Sequence, residues 1–230
     1  VLTKYGFDVL LKYLGVLLAV LVITFLFLSD PAARIAICSV DGIFILLVLN
    51  FFRDPNRNVP KEDGIVVSPA DGNVVVVKEA DEPEYLNSRA LQVSIFMSPL
   101  DVHVNRFPVT GTVEYFRHVE GEFLAAFEEK SSELNERTHI GIAWDGRKLL
   151  FKQIAGAVAR RIVADLKVGQ PAVIGERFGM IKFGSRVDIL LPMDAKIAVK
   201  VGDRVTAGES IVARFGSELR EKKTGRSSQM

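Results

Sequence analysis

Hydrophobic and polar positions divide this chain into two unlike parts. Val9–Leu28 is apolar throughout apart from Lys12, and Ile35–Phe52 is a second apolar run with Asp41 inside it. The first run is about twenty residues long, enough to cross a hydrocarbon core at the helical rise. Ser29-Asp30-Pro31 interrupts the two, so they predict a helical hairpin with a very short turn. Phe51-Phe52-Arg53-Asp54-Pro55-Asn56-Arg57 has the composition of an interfacial exit. Aromatics suit the headgroup level, arginines suit phosphates, and Asp-Pro ends a helix.

From Gly64 onward short β-rich runs alternate with turn residues. Strands are predicted at Ile65–Val67, Val74–Val77, Leu91–Met97, Gly111–Val119, Thr138–Trp144 and Lys148–Ile154, with Asp145-Gly146 as a hairpin turn. Arg177–Pro192 reads as one long strand with Gly184-Ser185 in its middle, where glycine marks a bulge or a close backbone approach. The segment Ala195–Phe215, with its Gly202-Asp203 turn, is similar to biotinyl and lipoyl half-barrels, and Leu166–Ile174 is a weaker echo of it. One helix is predicted, at Glu122–Leu134. The expected fold is mainly β, a compact barrel or sandwich with lipoyl-like half-barrel segments behind an N-terminal membrane hairpin. Its expected divisions are 1–52 for the hairpin, 53–216 for the β-rich domain and 217–230 for a polar, disordered tail.

Charge places the hairpin. Lys4 and Lys12 precede or open the first run, Arg53 and Arg57 follow the second, and only Arg34 lies in the turn. The positive-inside rule then puts both ends, and the β-rich part with them, on the cytoplasmic side of the cytoplasmic membrane. Asp41 is costly at mid-membrane, and a hairpin that only dips into the bilayer would relieve it. A signal peptide and a pair of buried core helices are the alternatives.

Lys and Arg total 29 against 28 Asp and Glu, with no basic run of the kind nucleic acid attracts. Cys38 is the one cysteine, which excludes an intramolecular disulfide. His103, His118 and His139 have no metal-ligand spacing, so no metal is expected. Three polar positions beside turns or strand ends carry candidate chemistry: Asp71 in S-P-A-D-G, His103 in S-P-L-D-V-H and Ser185 in F-G-S-R. Asp, His and Ser are the parts of an activated-nucleophile triad, which is defined by spatial roles rather than chain order. Each also has an ordinary structural reading.

Six motifs in order carry a resemblance: F-F-R-D-P-x-R from Phe51, S-P-A-D-G from Ser68, F-M-S-P-L-D-V-H-V-N-R from Phe96, N-E-R from Asn135, I-A-G-x-V-A-R-R-I from Ile154, and F-G-S-R. Together they resemble the short form of phosphatidylserine decarboxylase, over about Phe51 to Phe215; the archaetidylserine-specific relative shares these motifs. The resemblance implies a self-processing, pyruvoyl-dependent enzyme. Ser185 would attack the Gly184 carbonyl, with Asp71 and His103 activating it. Cleavage between Gly184 and Ser185 would leave a pyruvoyl group on the fragment 185–230, held as a tightly bound subunit. That group would form a Schiff base with membrane phosphatidylserine and release CO2 and phosphatidylethanolamine. Arg106, Arg137, Arg160, Arg186 and His139 are the candidates for substrate contacts. A homodimer is compatible with the sequence and not specified by it.

Two departures matter. Long members of the family carry L-G-S-T where this chain has Phe183-Gly184-Ser185-Arg186, and H-x-x-H where the second position here is Arg106. His103 then serves both processing and protonation, or His139 supplies the second function. The rival classes are a membrane-tethered lipoyl-like binding module and a membrane serine peptidase.

Overall fold

The structure is a computed structural model that describes residues 2–121, 134–156, 161–182 and 185–216. The predicted helix from Glu122, Arg160, Gly184 and the tail from Ser217 fall outside these residues, apart from Leu134 at the end of that helix.

Two helices, α1 (Phe7–Phe27) and α2 (Pro31–Phe51), form the hairpin. Their turn is built by local chemistry. Asp30 caps α2 by accepting from Ala33 N at 2.9 Å, and Pro31 occupies the first turn, where its missing N–H costs nothing. Arg34 reaches back to the end of α1 and donates to the carbonyls of Leu28 and Phe25 at 2.6 and 3.1 Å. Both helices are long and apolar enough to cross a membrane. Most of their apolar side chains are exposed, Phe27 at 80% and Leu46 at 67%, which does not suit buried core helices. Asp41 is buried within the hairpin. The base is different: Leu10, Phe51 and Phe52 are buried against Met180 of the β-rich part, and Thr3 N donates to Phe52 O at 2.9 Å.

The β-rich part holds fourteen described strands in three antiparallel sheets. They are β1 (Ile65–Val67), β2 (Gly72–Glu82), β3 (Ser88–Met97), β4 (Val104–Arg106), β5 (Gly111–Val119), β6 (Arg137–Trp144), β7 (Arg147–Ile154), β8 (Arg161–Ala164), β9 (Pro171–Ala172), β10 (Arg177–Lys182), β11 (Ser185–Leu191), β12 (Lys196–Ile197), β13 (Arg204–Val205) and β14 (Ile211–Arg214). The largest sheet has the order β13-β2-β3-β11-β7-β6-β5-β9, and the smaller ones β4-β10-β8 and β1-β14-β12. The fold is mainly β with a curled half-barrel sheet, as the sequence predicts. Asp145 and Gly146 both take positive φ, 44° and 75°, and turn β6 into β7 as their dipeptide demands.

One prediction fails instructively. Arg177–Pro192 is not a single strand. β10 pairs with β4 and β8 in one sheet, whereas β11 lies between β3 and β7 at the heart of another. β10 ends at Lys182 in one sheet and β11 begins at Ser185 in the other. Buried residues run without a break through both strands, Met180 and Ile181 as much as Val187 and Ile189, so periodicity alone gave no sign of the change.

Candidate active site

Ser185 opens β11 directly opposite Met97, the last residue of β3, and is fully buried. Its Oγ donates to Met97 Sδ at 3.4 Å. A thioether is a weak acceptor, so the hydroxyl is held without being committed to a strong partner.

His103 lies just before β4 and is also fully buried. Its own carbonyl accepts from Ile181 N, at the end of β10, at 3.3 Å. His103 is therefore anchored beside the last residues of β10 while Ser185 begins β11, and the two bracket the sheet change from either side. His103 Nδ1 is 2.9 Å from Asp101 O. A carbonyl can only accept, so Nδ1 carries the proton and Nε2 carries the lone pair. Nε2 is buried with no hydrogen-bond partner among the described residues. Burial pushes the pKa down to about 4, against an upward pull from Asp101, and Arg53 pushes it further down. The imidazole is neutral at physiological pH, with an uncommitted proton acceptor.

The loop before His103 owes its shape to Asp101, which the sequence reading passed over. Its carboxylate accepts from Ser98 N at 2.8 Å and pairs with Arg204. The S-P-x-D spacing was the available signal, since an Asp three residues after Ser closes a turn in this way.

Asp71 does not orient His103. It accepts two bonds from Arg57, at 2.9 and 2.8 Å, and one from Ala207 N at 2.8 Å. It clasps the Ser68–Gly72 turn to the linker and to the 206–210 turn. Pro69 O of the same turn then accepts from Arg106 N at 3.0 Å. Gly72 completes this join, because at φ 154° a Cβ there would stand 2.1 Å from Phe96 O.

The candidate substrate cations are mostly committed elsewhere. Arg106 is buried and donates to Gly175 O, Asp54 Oδ1 and Pro55 O at 2.9, 2.8 and 3.0 Å, with Arg177 on the other oxygen of Asp54. It is an internal tie and not an open phosphate site. Strand register disposes of three more. Val187 stands opposite Gln153, and Gln153 opposite Thr138, with no bulge between β11, β7 and β6. Side chains alternate across a sheet. Ser185, Val187, Gln153 and Thr138 therefore share the core face, whereas Arg186, His139 and Arg137 project from the other. There Arg186 pairs with Asp188 at 2.6 Å and with Ser94 Oγ at 2.8 Å. His139 Nδ1 contacts Glu84 at 2.5 Å, and its Nε2 accepts from Arg137 at 3.2 Å. Burial pushes His139 below its ordinary pKa.

The core face also holds a polar chain that the sequence reading missed. Thr138 Oγ1 donates to Gln153 Oε1 at 2.9 Å, and Gln153 Nε2 donates to Asn105 Oδ1 at 2.8 Å. Asn105 Nδ2 touches Met97 Sδ, the sulfur that Ser185 uses, at 3.8 Å. Inward-facing polar residues in otherwise apolar strands were the sign, legible once register is known.

Finally, the hairpin meets the site. Phe51 lies on the His103 ring, with centroids 4.4 Å apart. Arg53 donates to Leu100 O at 2.8 Å. Between the hairpin base and the Pro99–Leu100 loop is an apolar cavity of about 420 Å³ lined by Tyr13, Leu17, Phe44, Leu47, Phe51 and neighbours.

Known proteins resemble this chain over most of its length. The family model described as phosphatidylserine decarboxylase matches residues 44–213. A phosphatidylserine decarboxylase proenzyme of Chlorobium phaeovibrioides is 49% identical over 215 residues, 94% of this chain and 97% of its own. The protein of that name from Symbiobacterium thermophilum is 50% identical over 171 residues, covering 74% and 80%, and that from Amoebophilus asiaticus 49% over 177, covering 76% and 79%. Relatedness along nearly the whole length leads to one assignment: the chain belongs to the phosphatidylserine decarboxylase family of enzymes.

Proposed function

We propose that this chain is a proenzyme that cuts itself between Gly184 and Ser185 and then decarboxylates phosphatidylserine at the membrane surface. The observation that carries the reading is the neutral, unpartnered Nε2 of His103, buried beside the end of β10 while Ser185 opens β11. Serine is a poor nucleophile until a base takes its proton. His103 takes the Oγ proton as Oγ adds to the Gly184 carbonyl, and the amide becomes an ester. Loss of the Ser185 α-proton expels the Gly184 carboxylate. Water then replaces the nitrogen at position 185, releasing ammonia and leaving a pyruvoyl group.

That group supplies a carbonyl that condenses with the substrate amine and draws off the electron pair freed with CO2. The protein's part is binding, exclusion of water and proton control. His103 Nε2 returns a proton to the product carbon. Phe51 and the surrounding burial keep bulk water away. Arg53, close enough to depress the His103 pKa, is the cation we assign to the lipid phosphate or carboxylate. The hairpin holds the site at the bilayer, with the flanking Lys4, Lys12, Arg53 and Arg57 favouring the cytoplasmic side. The fragment from Ser185 stays attached because β11 is hydrogen-bonded to β3 on one side and β7 on the other.

Intact mass tests this. Active protein is expected as two chains, the smaller one blocked at position 185 with the mass of a pyruvoyl cap. A single full-length chain with full activity overturns the reading.

A further inference from the structure

Arg186 directly follows Ser185 and is buried, 1% exposed, on the face of the sheet turned away from that serine. Its Nε donates to Asp188 Oδ1 at 2.6 Å and its Nη2 to Ser94 Oγ at 2.8 Å. Gln92 Nε2 closes the group, donating to Ser94 Oγ at 2.9 Å and to Asp188 Oδ2 at 3.2 Å. Asp188 and Ser94 stand opposite each other in the β11–β3 pairing, the same register that sets Ser185 opposite Met97. The four side chains therefore bolt the first half of β11 to β3. Further along the same face Ala90, Leu150 and Leu190 form a small apolar cluster. A buried ion pair is commonly no more stable than apolar residues of the same volume, so packing alone does not explain the charges beside that cluster. What the planar fork of a guanidinium adds is a fixed direction.

The pairing at the head of β11 is one-sided. Ser185 pairs with Met97 of β3, whereas β7 joins at Arg186, opposite Ile154. In the uncut chain Ser185 is also joined through the backbone to β10, which is fixed in another sheet. A cut before Ser185 removes that second restraint, and strand ends fray where few bonds hold them. We infer that Arg186 is the positioning residue for the terminus that the cut creates: tied to Asp188 and Ser94, it keeps the first residue of β11 against Met97, so that the carbonyl group made there stays in place for the substrate amine. The inference rests on the self-processing reading. The tie is redundant in the uncut chain, and in the cut chain it holds the register.

The test compares cut and uncut protein in detergent micelles, with circular dichroism to score folding. Arg186→Met combined with Asp188→Leu removes the tie without leaving a lone buried charge. This variant is expected to cleave within a few-fold of the wild-type rate. Once cleaved, it should turn over about 10²-fold more slowly, the loss that a misplacement of about 1 Å brings. Amide hydrogen exchange at positions 186 and 187 should quicken in the cleaved variant and stay slow when Ser185→Ala keeps the same variant uncut. The fall in melting temperature should likewise be larger in the cleaved form than in the Ser185→Ala form. Arg186→Lys keeps the charge and loses the fork; it should show the same split in smaller measure, and it decides the matter if the double variant does not fold. Equal losses in cut and uncut protein, or wild-type turnover by a folded and cleaved variant, overturn the inference alone. Failure of the wild-type chain to cleave overturns the self-processing reading as well.

Discussion

The ring of Phe51 lies 4.4 Å from the imidazole of His103, tilted by 39°, so the last residue of the helical hairpin closes one face of the candidate base. An element that reads as a membrane anchor is thereby part of the site's wall. Phe51→Ala is expected to admit water beside His103 and raise its pKa toward the ordinary value, since burial is the main cause of the depression. Loss of a buried phenylalanine costs about 3–5 kcal/mol. The histidine titration followed by NMR in micelles checks the first effect, and an unchanged pKa refutes it.

The same burial gives the protein an acid sensitivity. His103 has a folded pKa of about 4 against 6.5 unfolded, so between those values the unfolded chain binds more protons. Stability is complete above about pH 6.5 and falls as the pH drops toward 4, by an amount on the order of 3 kcal/mol from this residue. His139 is shifted the same way and adds to the slope. Thermal melts from pH 7 to pH 4 should show the decline, and His103→Gln should flatten it. An equal slope in that variant would assign the effect elsewhere.

Arg106 offers a sharp contrast between sequence and structure. Its place in the V-N-R motif marks it as a substrate cation, yet its guanidinium ties Asp54 at the hairpin exit to Gly175 O. Removing one partner of a buried ion pair costs about 3–5 kcal/mol. Arg106→Lys should also destabilise, because an ammonium cannot hold the same fork of acceptors. The expected outcome is a lower melting temperature with an unchanged KM in whatever folds. A raised KM at normal stability would return Arg106 to the substrate.

What was legible in the sequence was whatever local chemistry sets. The hairpin follows from hydropathy and from Asp30-Pro31, and the β6–β7 turn from Asp145-Gly146. Ser185 and His103 stand out by their motifs, and both prove to be fully buried. What was hidden depends on pairing between distant segments. Nothing local says that β10 and β11 belong to different sheets, so Arg177–Pro192 reads as one strand when Ser185 opens the second of two. Nor does sequence reveal faces. Arg186 adjoins Ser185 in the chain, and β-alternation puts its side chain on the opposite side of the sheet. Asp71 likewise has the composition of a triad member, and only the fold brings Arg57 and Ala207 to it.

Gly72→Ala is a strict test of the Ser68–Gly72 join. The new methyl would meet the Phe96 carbonyl at 2.1 Å, a backbone atom that cannot step aside without disturbing β3 near Met97. Strain of this kind and an unfavourable φ together are expected to cost more than about 2 kcal/mol. Denaturant melts in a Ser185→Ala background, which on the proposed mechanism does not cleave, should report this cost without interference from processing. A neutral effect there would mean that the turn sits differently.

The last question is whether one histidine serves both reactions. The second position of the histidine motif is Arg106, bound to Asp54, and His139 is held between Glu84 and Arg137 on the far face of the sheet. His118 is 46% exposed and paired with Glu136. His103 is left as the histidine with an uncommitted buried nitrogen among the described residues. His103→Ala should slow self-cleavage by about 10²–10⁴, the usual contribution of a positioned proton carrier. Because the base works in its neutral form, wild-type cleavage should be nearly level from pH 8 to pH 5 and fall only toward its pKa of about 4. The fraction of His103→Ala that does cleave after long incubation can be isolated and assayed. If His103 also protonates the product carbon, that cleaved enzyme should turn over slowly as well, and added imidazole should restore both rates in His103→Gly. Normal turnover by the cleaved variant would confine His103 to processing and leave the second proton transfer to another group.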